Sequence, residues 1–197
     1  LPVVNGEMLD KPARTTYLAV DTDLGHLNTA GIGDIHFSMS DKLELNLSHM
    51  AELIQNPAGL MAWENAWWDT SIPPLKAGDG AGGFRQVGRL LLFRNASLVV
   101  ERLRDVIKKL MAVDRHASGG KLTVVLATGI GGGTGSGVFL DMAYLIRYVM
   151  GEQFRGIRLS LMGFFVLPDV NMSHANLSEA HRKVLDGHMR GKVVVEF

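Results

Sequence analysis

Cysteine is absent from this 197-residue chain. That excludes disulfides, thiolate metal sites and cysteine nucleophiles, and it fits a reducing compartment, so a cytoplasmic location is expected. Charge of one sign is lacking too. Lys and Arg number 20 and Asp and Glu number 20, so no net field draws the protein to nucleic acid or anionic lipid, and no nucleic-acid partner is expected. No apolar run reaches the length that a bilayer crossing needs, and no transmembrane segment is expected. The opening LPVVNGEMLDKPARTTY has no basic stretch followed by an apolar core and does not read as a signal peptide.

With 47% hydrophobic and 20% charged residues, the composition is that of a globular protein. The length suits one medium domain, not two. The chain starts without methionine and ends on the strand-like KVVVEF with no turn or cap after it. Residues 1–197 are therefore expected to form a single, incomplete domain, trimmed at both ends.

Residues 17–20 form a short apolar run of the buried-strand type, followed at once by Asp21, Thr22 and Asp23. Residues 43–47 alternate apolar and polar, as a half-buried strand does. SHMAELI predicts a helix that NPAG stops. In MAWENAWWDTSI, Trp63 and Trp67 fall on one helical face, which favours core packing over ligand stacking. PPLKAGDGAGG suits neither helix nor strand. Over residues 84–113, Val99, Leu103, Val106, Ile107 and Leu110 build one apolar helical stripe. Lys108, Lys109 and Arg115 lie near its C-terminal end, where the helix dipole favours positive charge.

LTVVLA, residues 122–127, is rich in β-branched residues without alternation, which suits a parallel strand covered on both faces. Val138, Met142, Leu145, Ile146 and Val149 repeat the helical spacing, with Gly151 as the expected end. LSLMGFFVL is a further buried strand, broken by PDVNMS, and a polar helix with a Glu179–Lys183 pair follows. This order predicts an α/β fold with a doubly wound, mostly parallel sheet and helices on both faces, of Rossmann-like type. Ligands gather at the carboxyl ends of such strands. Three loops leave strands at that edge: DTD after Val20, TGIGGGTGSG after Ala127 and PDVNMS after Leu167.

In LATGIGGGTGSGV, residues 126–138, six of thirteen positions are glycine, and the run joins a strand pattern to a helix pattern. A helix N-terminus presents unpaired N–H groups and partial positive charge, so it attracts phosphate, and bare glycines let a loop close around it. Thr134 and Ser136 add hydroxyls. No lysine follows, so this is not a P-loop. The spacing G-x-G-x-x-G is not met within residues 129–137. It occurs at Gly78, Gly80 and Gly83, but after PPLKA, which is no strand. Ser136 has Thr134 and Val138 where a hydrolase elbow needs glycines. Tight strand-helix packing alone rarely needs so many glycines, so phosphate binding leads.

GGGTGSG, residues 131–137, resembles the signature loop of the tubulin and FtsZ superfamily, which cradles the phosphates of GTP. AVDTD resembles that family's second phosphate-side loop, GAGGFRQVG (residues 80–88) its third, which senses the terminal phosphate, and FFVLPD its fifth strand and loop. The resemblance spans about residues 16–170 and is strongest to the bacterial tubulin-like branch. It implies that Gly131, Gly132, Gly133, Thr134, Gly135 and Ser136 hold the α- and β-phosphates. It places Gly80, Ala81, Gly82 and Gly83 over the γ-phosphate, Asp21, Thr22 and Asp23 on the phosphate or magnesium side, and Asp169 near the ribose.

The cofactors implied are GTP or GDP with Mg2+, and the partner is a second copy in a head-to-tail filament. Family hydrolysis is shared between neighbouring subunits and works by positioning and charge stabilisation. The family's first strand and glycine loop, its guanine-reading helix and its acidic loop have no counterpart in residues 1–197. GTPase activity is therefore expected of the intact assembled protein, not of this chain alone, and no catalytic residue is assigned. Two other readings stand beside this one: a nucleotide-gated interaction module without hydrolysis, and a dinucleotide oxidoreductase.

His174, His181 and His188 recur every seven residues, which on a helix sets them about 10 Å apart, too far to share a metal. A solvated face is expected. Arg85 and Arg89 follow the Gly80–Gly83 stretch by one turn and either reach a phosphate or an adjoining subunit or sit on ordinary surface.

Overall fold

A computed structural model describes residues 3–4, 7–8, 15–32, 35–46, 50–73, 75, 80–112 and 120–167. Strands β1 (Val3–Val4) and β2 (Glu7–Met8) pair antiparallel. Strand β3 (Ala19–Asp21) leads into helix α1 (Leu24–Thr29), which Asp23 caps by accepting hydrogen bonds from the Gly25 and His26 N–H groups at 2.7 and 3.2 Å. Strands β4 (Gly31–Ile32) and β5 (Ile35–His36) form a second antiparallel pair, and β6 (Lys42–Glu44) returns to lie parallel to β3, with Val20 opposite Leu43. Helices α2 (Met50–Gln55) and α3 (Ala62–Asn65) follow.

Helices α4 (Arg85–Arg94) and α5 (Ala96–Ala112) occupy the stretch whose pattern predicts one continuous helix. The break falls at Asn95, whose backbone leaves the helical region at φ −105° and ψ 11°. Its side-chain amide donates to the Leu91 carbonyl at 2.8 Å and to the Asn46 carbonyl at 3.0 Å, so the corner is held by hydrogen bonds that a straight helix would not make. Val99, Leu103 and Ile107 of the expected stripe are buried.

Strand β7 (Lys121–Gly129), helix α6 (Gly133–Gln153) and strand β8 (Arg158–Val166) form a βαβ unit with β7 and β8 parallel from Lys121↔Arg158 to Gly129↔Val166. Helix α6 passes through Gly151 to Gln153, two residues beyond the expected stop. A Cβ at Gly151 would meet nothing within 4 Å, and glycine is there an ordinary exposed helix residue rather than a cap.

The architecture is α/β with two short parallel sheets. Among the described residues no strand is hydrogen-bonded to both the β3–β6 pair and the β7–β8 pair. Between the pairs lies an apolar cavity of about 440 Å³, lined by residues that include Leu18, Val20, Val124, Leu126, Phe139 and Ile146. The core centres on Leu45, Val87, Leu90, Leu92, Val99, Ile146 and Val149. The tryptophans divide differently from their expected placement: Trp68 is buried, Trp63 is 47% exposed with its edge on Phe93, and α3 ends before Trp67. Glu64 is fully buried, and its carboxylate accepts from Arg94 Nε at 2.8 Å, Arg94 Nη2 at 2.6 Å and the Met61 N–H at 2.7 Å. Such a fork satisfies both oxygens and fixes the α3 turn to the end of α4. Among the described residues no helix is long and apolar enough to cross a membrane. The polar helix expected around Glu179 and Lys183, with its three histidines, lies outside the described residues.

Helices α4 and α6 touch at their first turns. A Cβ on Gly88 would fall on the Gly133 carbonyl oxygen, and one on Gly137 would fall on the Arg85 carbonyl oxygen. Both obstacles are backbone and cannot swing aside. Gly88→Ala is expected to lower stability by about 1–3 kcal/mol through overpacking. Gly151→Ala, in open space within the same bundle, is expected to raise it by about 0.5–1 kcal/mol. Urea midpoints at constant m read both changes, and equal shifts of the same sign would contradict this packing.

Candidate phosphate site

Three loops meet at one edge of the molecule. The first is the end of β3: the Asp21 Oδ1 atom accepts the Thr22 N–H at 2.7 Å and the Asp23 N–H at 3.3 Å, which curls the chain toward α1. The second is the turn of Gly80, Ala81, Gly82 and Gly83 before α4. Gly80 has φ +55°, and a Cβ there would lie 2.8 Å from Thr22 Oγ1 and 2.9 Å from the Thr22 carbonyl oxygen, so only glycine lets the turn come this close. The third is residues 130–132 at the start of α6.

Side chains bind the three together. Thr134 Oγ1 donates to Asp21 Oδ1 at 3.0 Å and lies 2.6 Å from Thr22 Oγ1. The Ala81 N–H donates to Thr22 Oγ1 at 2.9 Å. Thr22, Ala81 and Ser136 are all buried. Ser136 Oγ turns back to donate to the Gly132 carbonyl oxygen. Both hydroxyls of the glycine-rich loop thus brace the protein in this arrangement, and what the loop offers outward is backbone.

The helix ends carry the electrostatics. Neither Gly132 at the start of α6 nor Phe84 at the start of α4 provides a side-chain cap. The first N–H groups of a helix have no partner within it, and the N-terminus carries about half a positive charge. Two such ends adjoin here, because Gly133 lies against Ala81, Gly83 and the Phe84 N–H. A Cβ on Gly132 would meet nothing within 4 Å, so the loop faces open space on that side. Opposite charge stands close by: Asp21 and Asp23 flank the loop, with His26 Nδ1 3.7 Å from Asp21 Oδ2 and 3.6 Å from Asp23 Oδ2. Among the described residues no group of three or more His, Asp or Glu side chains is arranged to hold a metal ion.

Of the residues singled out in the sequence, Asp21, Thr22, Asp23, Gly80, Ala81, Gly82, Gly83 and the 131–136 loop come together. Asp169 lies outside the described residues. Arg85 is exposed. Arg89 is engaged elsewhere: its Nε donates to Asp141 Oδ2 at 2.9 Å, and its guanidinium lies 5.1 Å from the Trp67 ring centre and 5.2 Å from that of Phe93. Asp141 leaves no local signal in the sequence, because its partner lies on another helix.

A family model described as "Tubulin like" matches residues 4–185. No curated protein and no solved structure matches the chain.

Arg89 and Asp141 join α4 to α6 beside the glycine contact. The double-mutant cycle of Arg89→Ala and Asp141→Ala is expected to give a coupling of about 1 kcal/mol, modest because Arg89 is 39% exposed. Urea unfolding of the four proteins measures it. Additive single effects would show that the two side chains stabilise the crossing separately.

Proposed function

The chain belongs to the tubulin-like family, and from that premise we propose that it binds a guanosine nucleotide by its phosphates at the meeting of these three loops and assembles head to tail. The observation that carries this reading is the pair of adjoining helix N-termini without side-chain caps, one of them facing open space at Gly132. Backbone N–H groups of Gly131, Gly132, Gly133, Thr134 and Gly135 hold the inner phosphates, and Ser136 braces the loop through the Gly132 carbonyl. The turn of Gly80, Ala81, Gly82 and Gly83 lies toward the terminal phosphate. Asp169 is assigned to the ribose side.

The residues present suit a phosphate tail, since amides without competing side chains line the loop. Mg2+ would neutralise part of the phosphate charge, and Asp21 and Asp23 are the carboxylates placed to hold it. A magnesium ion of this kind takes one or two protein carboxylates and completes its shell with phosphate and water, which agrees with a site of two acids rather than a protein cage.

We also infer that the β3–β6 and β7–β8 pairs belong to one doubly wound sheet. The cavity between them is lined by the consecutive residues Leu122, Thr123, Val124, Val125, Leu126, Ala127 and Thr128 of β7. Successive side chains of a strand point to opposite faces, so consecutive lining marks a strand edge rather than a sheet face. Hydrolysis belongs to the assembled protein, where a neighbouring subunit completes the site, and the working location is the cytoplasm.

Gly132→Asp separates binding from folding, because its side chain enters open space. Asp is a favourable N-cap, so stability is expected to hold or rise by a few tenths of a kcal/mol. Its carboxylate competes for the same amides and repels phosphate, and GTP affinity is expected to fall about tenfold or more. Calorimetric titration with GTP, GDP and NAD, together with pelleting in GTP and in GDP, reads the outcome. Wild-type protein that neither binds GTP nor sediments with it refutes the proposal.

A further inference from the structure

The hydrogen bonds among Ala81, Thr22, Thr134 and Asp21 have a direction. A carboxylate only accepts, so the single Thr134 hydroxyl proton goes to Asp21 Oδ1, at 3.0 Å. Thr134 Oγ1 can then only accept across its 2.6 Å contact with Thr22, which makes Thr22 the donor. With its own proton spent, Thr22 Oγ1 accepts the Ala81 N–H at 2.9 Å. Every proton in the row points toward the carboxylate, and each bond polarises the next.

We propose that this row is a latch, in which Thr22 is a positioning residue that fixes the Gly80–Gly83 turn against the start of α6. The turn is closed by the Phe84 N–H donating to the Ala81 carbonyl oxygen at 2.8 Å, and the row adds its tie to the end of β3. Gly80, Gly82 and Gly83 all have positive φ, at 55°, 56° and 81°, and glycine peptides are the most mobile in a chain. A Cβ on Gly83 would meet nothing within 4 Å. Residue 81 is where side-chain size and burial return, and its N–H is the group that the row of hydroxyls grips. Thr22 has a relative exposure of 7%, so water has little access to replace the bond. The significance for nucleotide binding rests on the proposed function: the amides facing a terminal phosphate are set in place beforehand, at the cost of one carboxylate's lone pair.

Hydrogen exchange followed by mass spectrometry on the full chain without nucleotide tests the latch directly. Thr22→Val keeps the shape and removes the hydroxyl. Peptides covering the Gly80–Phe84 turn are expected to exchange about tenfold faster in this variant, the weight of one hydrogen bond, while β7 and β8 keep their protection. Thr22→Ser is expected to restore the wild-type rate, which a role in packing alone would not do. Thr134→Val leaves Thr22 without its acceptor and is expected to speed exchange in the same peptides. The double variant should go no further than the faster single one, since both cut the same row. Unchanged exchange in Thr22→Val, or failure of Thr22→Ser to restore protection, overturns the latch. If Thr22→Val also strips protection from β7 and β8, the decision passes to Thr134→Val. GTP titration of the same proteins is read separately. A wild type that binds no GTP refutes the nucleotide reading, whereas the exchange rates decide the latch in either case.

Discussion

The crossing of α4 and α6 at glycine is the constraint from which the rest of the site follows. Side chains at Gly88 or Gly137 would hold the two helices apart, because the atoms they would meet are backbone, and one at Gly133 would meet the Phe84 nitrogen and the Ala81 Cβ. With no Cβ in the way, the two first turns touch and the loops before them become neighbours. The Ala81 amide thereby comes within reach of Thr22, and Thr134 within reach of Asp21. The Arg89–Asp141 pair and the rings of Trp67 and Phe93 close over the same crossing on its other flank. Helix N-termini repel one another when their partial charges adjoin. Tight packing and the carboxylates of Asp21 and Asp23 offset that repulsion.

A consequence concerns which atoms remain for a ligand. Ser and Thr in a glycine-rich loop suggest hydroxyl donors to phosphate, yet Thr134 and Ser136 are used to brace Asp21 and the Gly132 carbonyl. A site built from backbone amides is organised before its ligand arrives only where the loops that carry them are held. The hydroxyls contribute by holding the loops still.

Much of this was legible from residue order. Apolar runs bounded by glycine and acidic residues placed β3, β7, β8 and the end of α6 to within two residues, while α6 begins inside the glycine run, at Gly133. The loops after β3 and before α6 were legible for the same reason, whereas the Gly80–Gly83 turn was reached through the family resemblance, and PDVNMS, the third loop expected at that edge, lies outside the described residues. What could not be read is what depends on two distant segments at once. Asn95 breaks a helix whose apolar pattern runs straight through it, by bonding to Asn46. Arg94 and Glu64 pair across the fold, and so do Arg89 and Asp141. Trp63 and Trp67 share a helical spacing, but the helix under them is too short to express it. The short parallel pairs likewise carry the expected direction of the strands.

The charges at the site also narrow the kind of anion that fits. Two helix ends contribute about one positive charge between them. Asp21 and Asp23 contribute two negative ones, with one of the four carboxylate oxygens occupied by three donors and another by the α1 cap. A lone phosphate gains from the amides and loses to the carboxylates. A polyphosphate carrying a divalent cation would suit both, since the amides would hold its oxygens and Asp21 and Asp23 its metal. On the proposed reading, the same two carboxylates that weaken the site for a bare anion would favour a magnesium-bound nucleotide, and with Asp21 Oδ1 taken by three donors, the oxygen left for a cation would be Oδ2, 3.7 Å from His26 Nδ1.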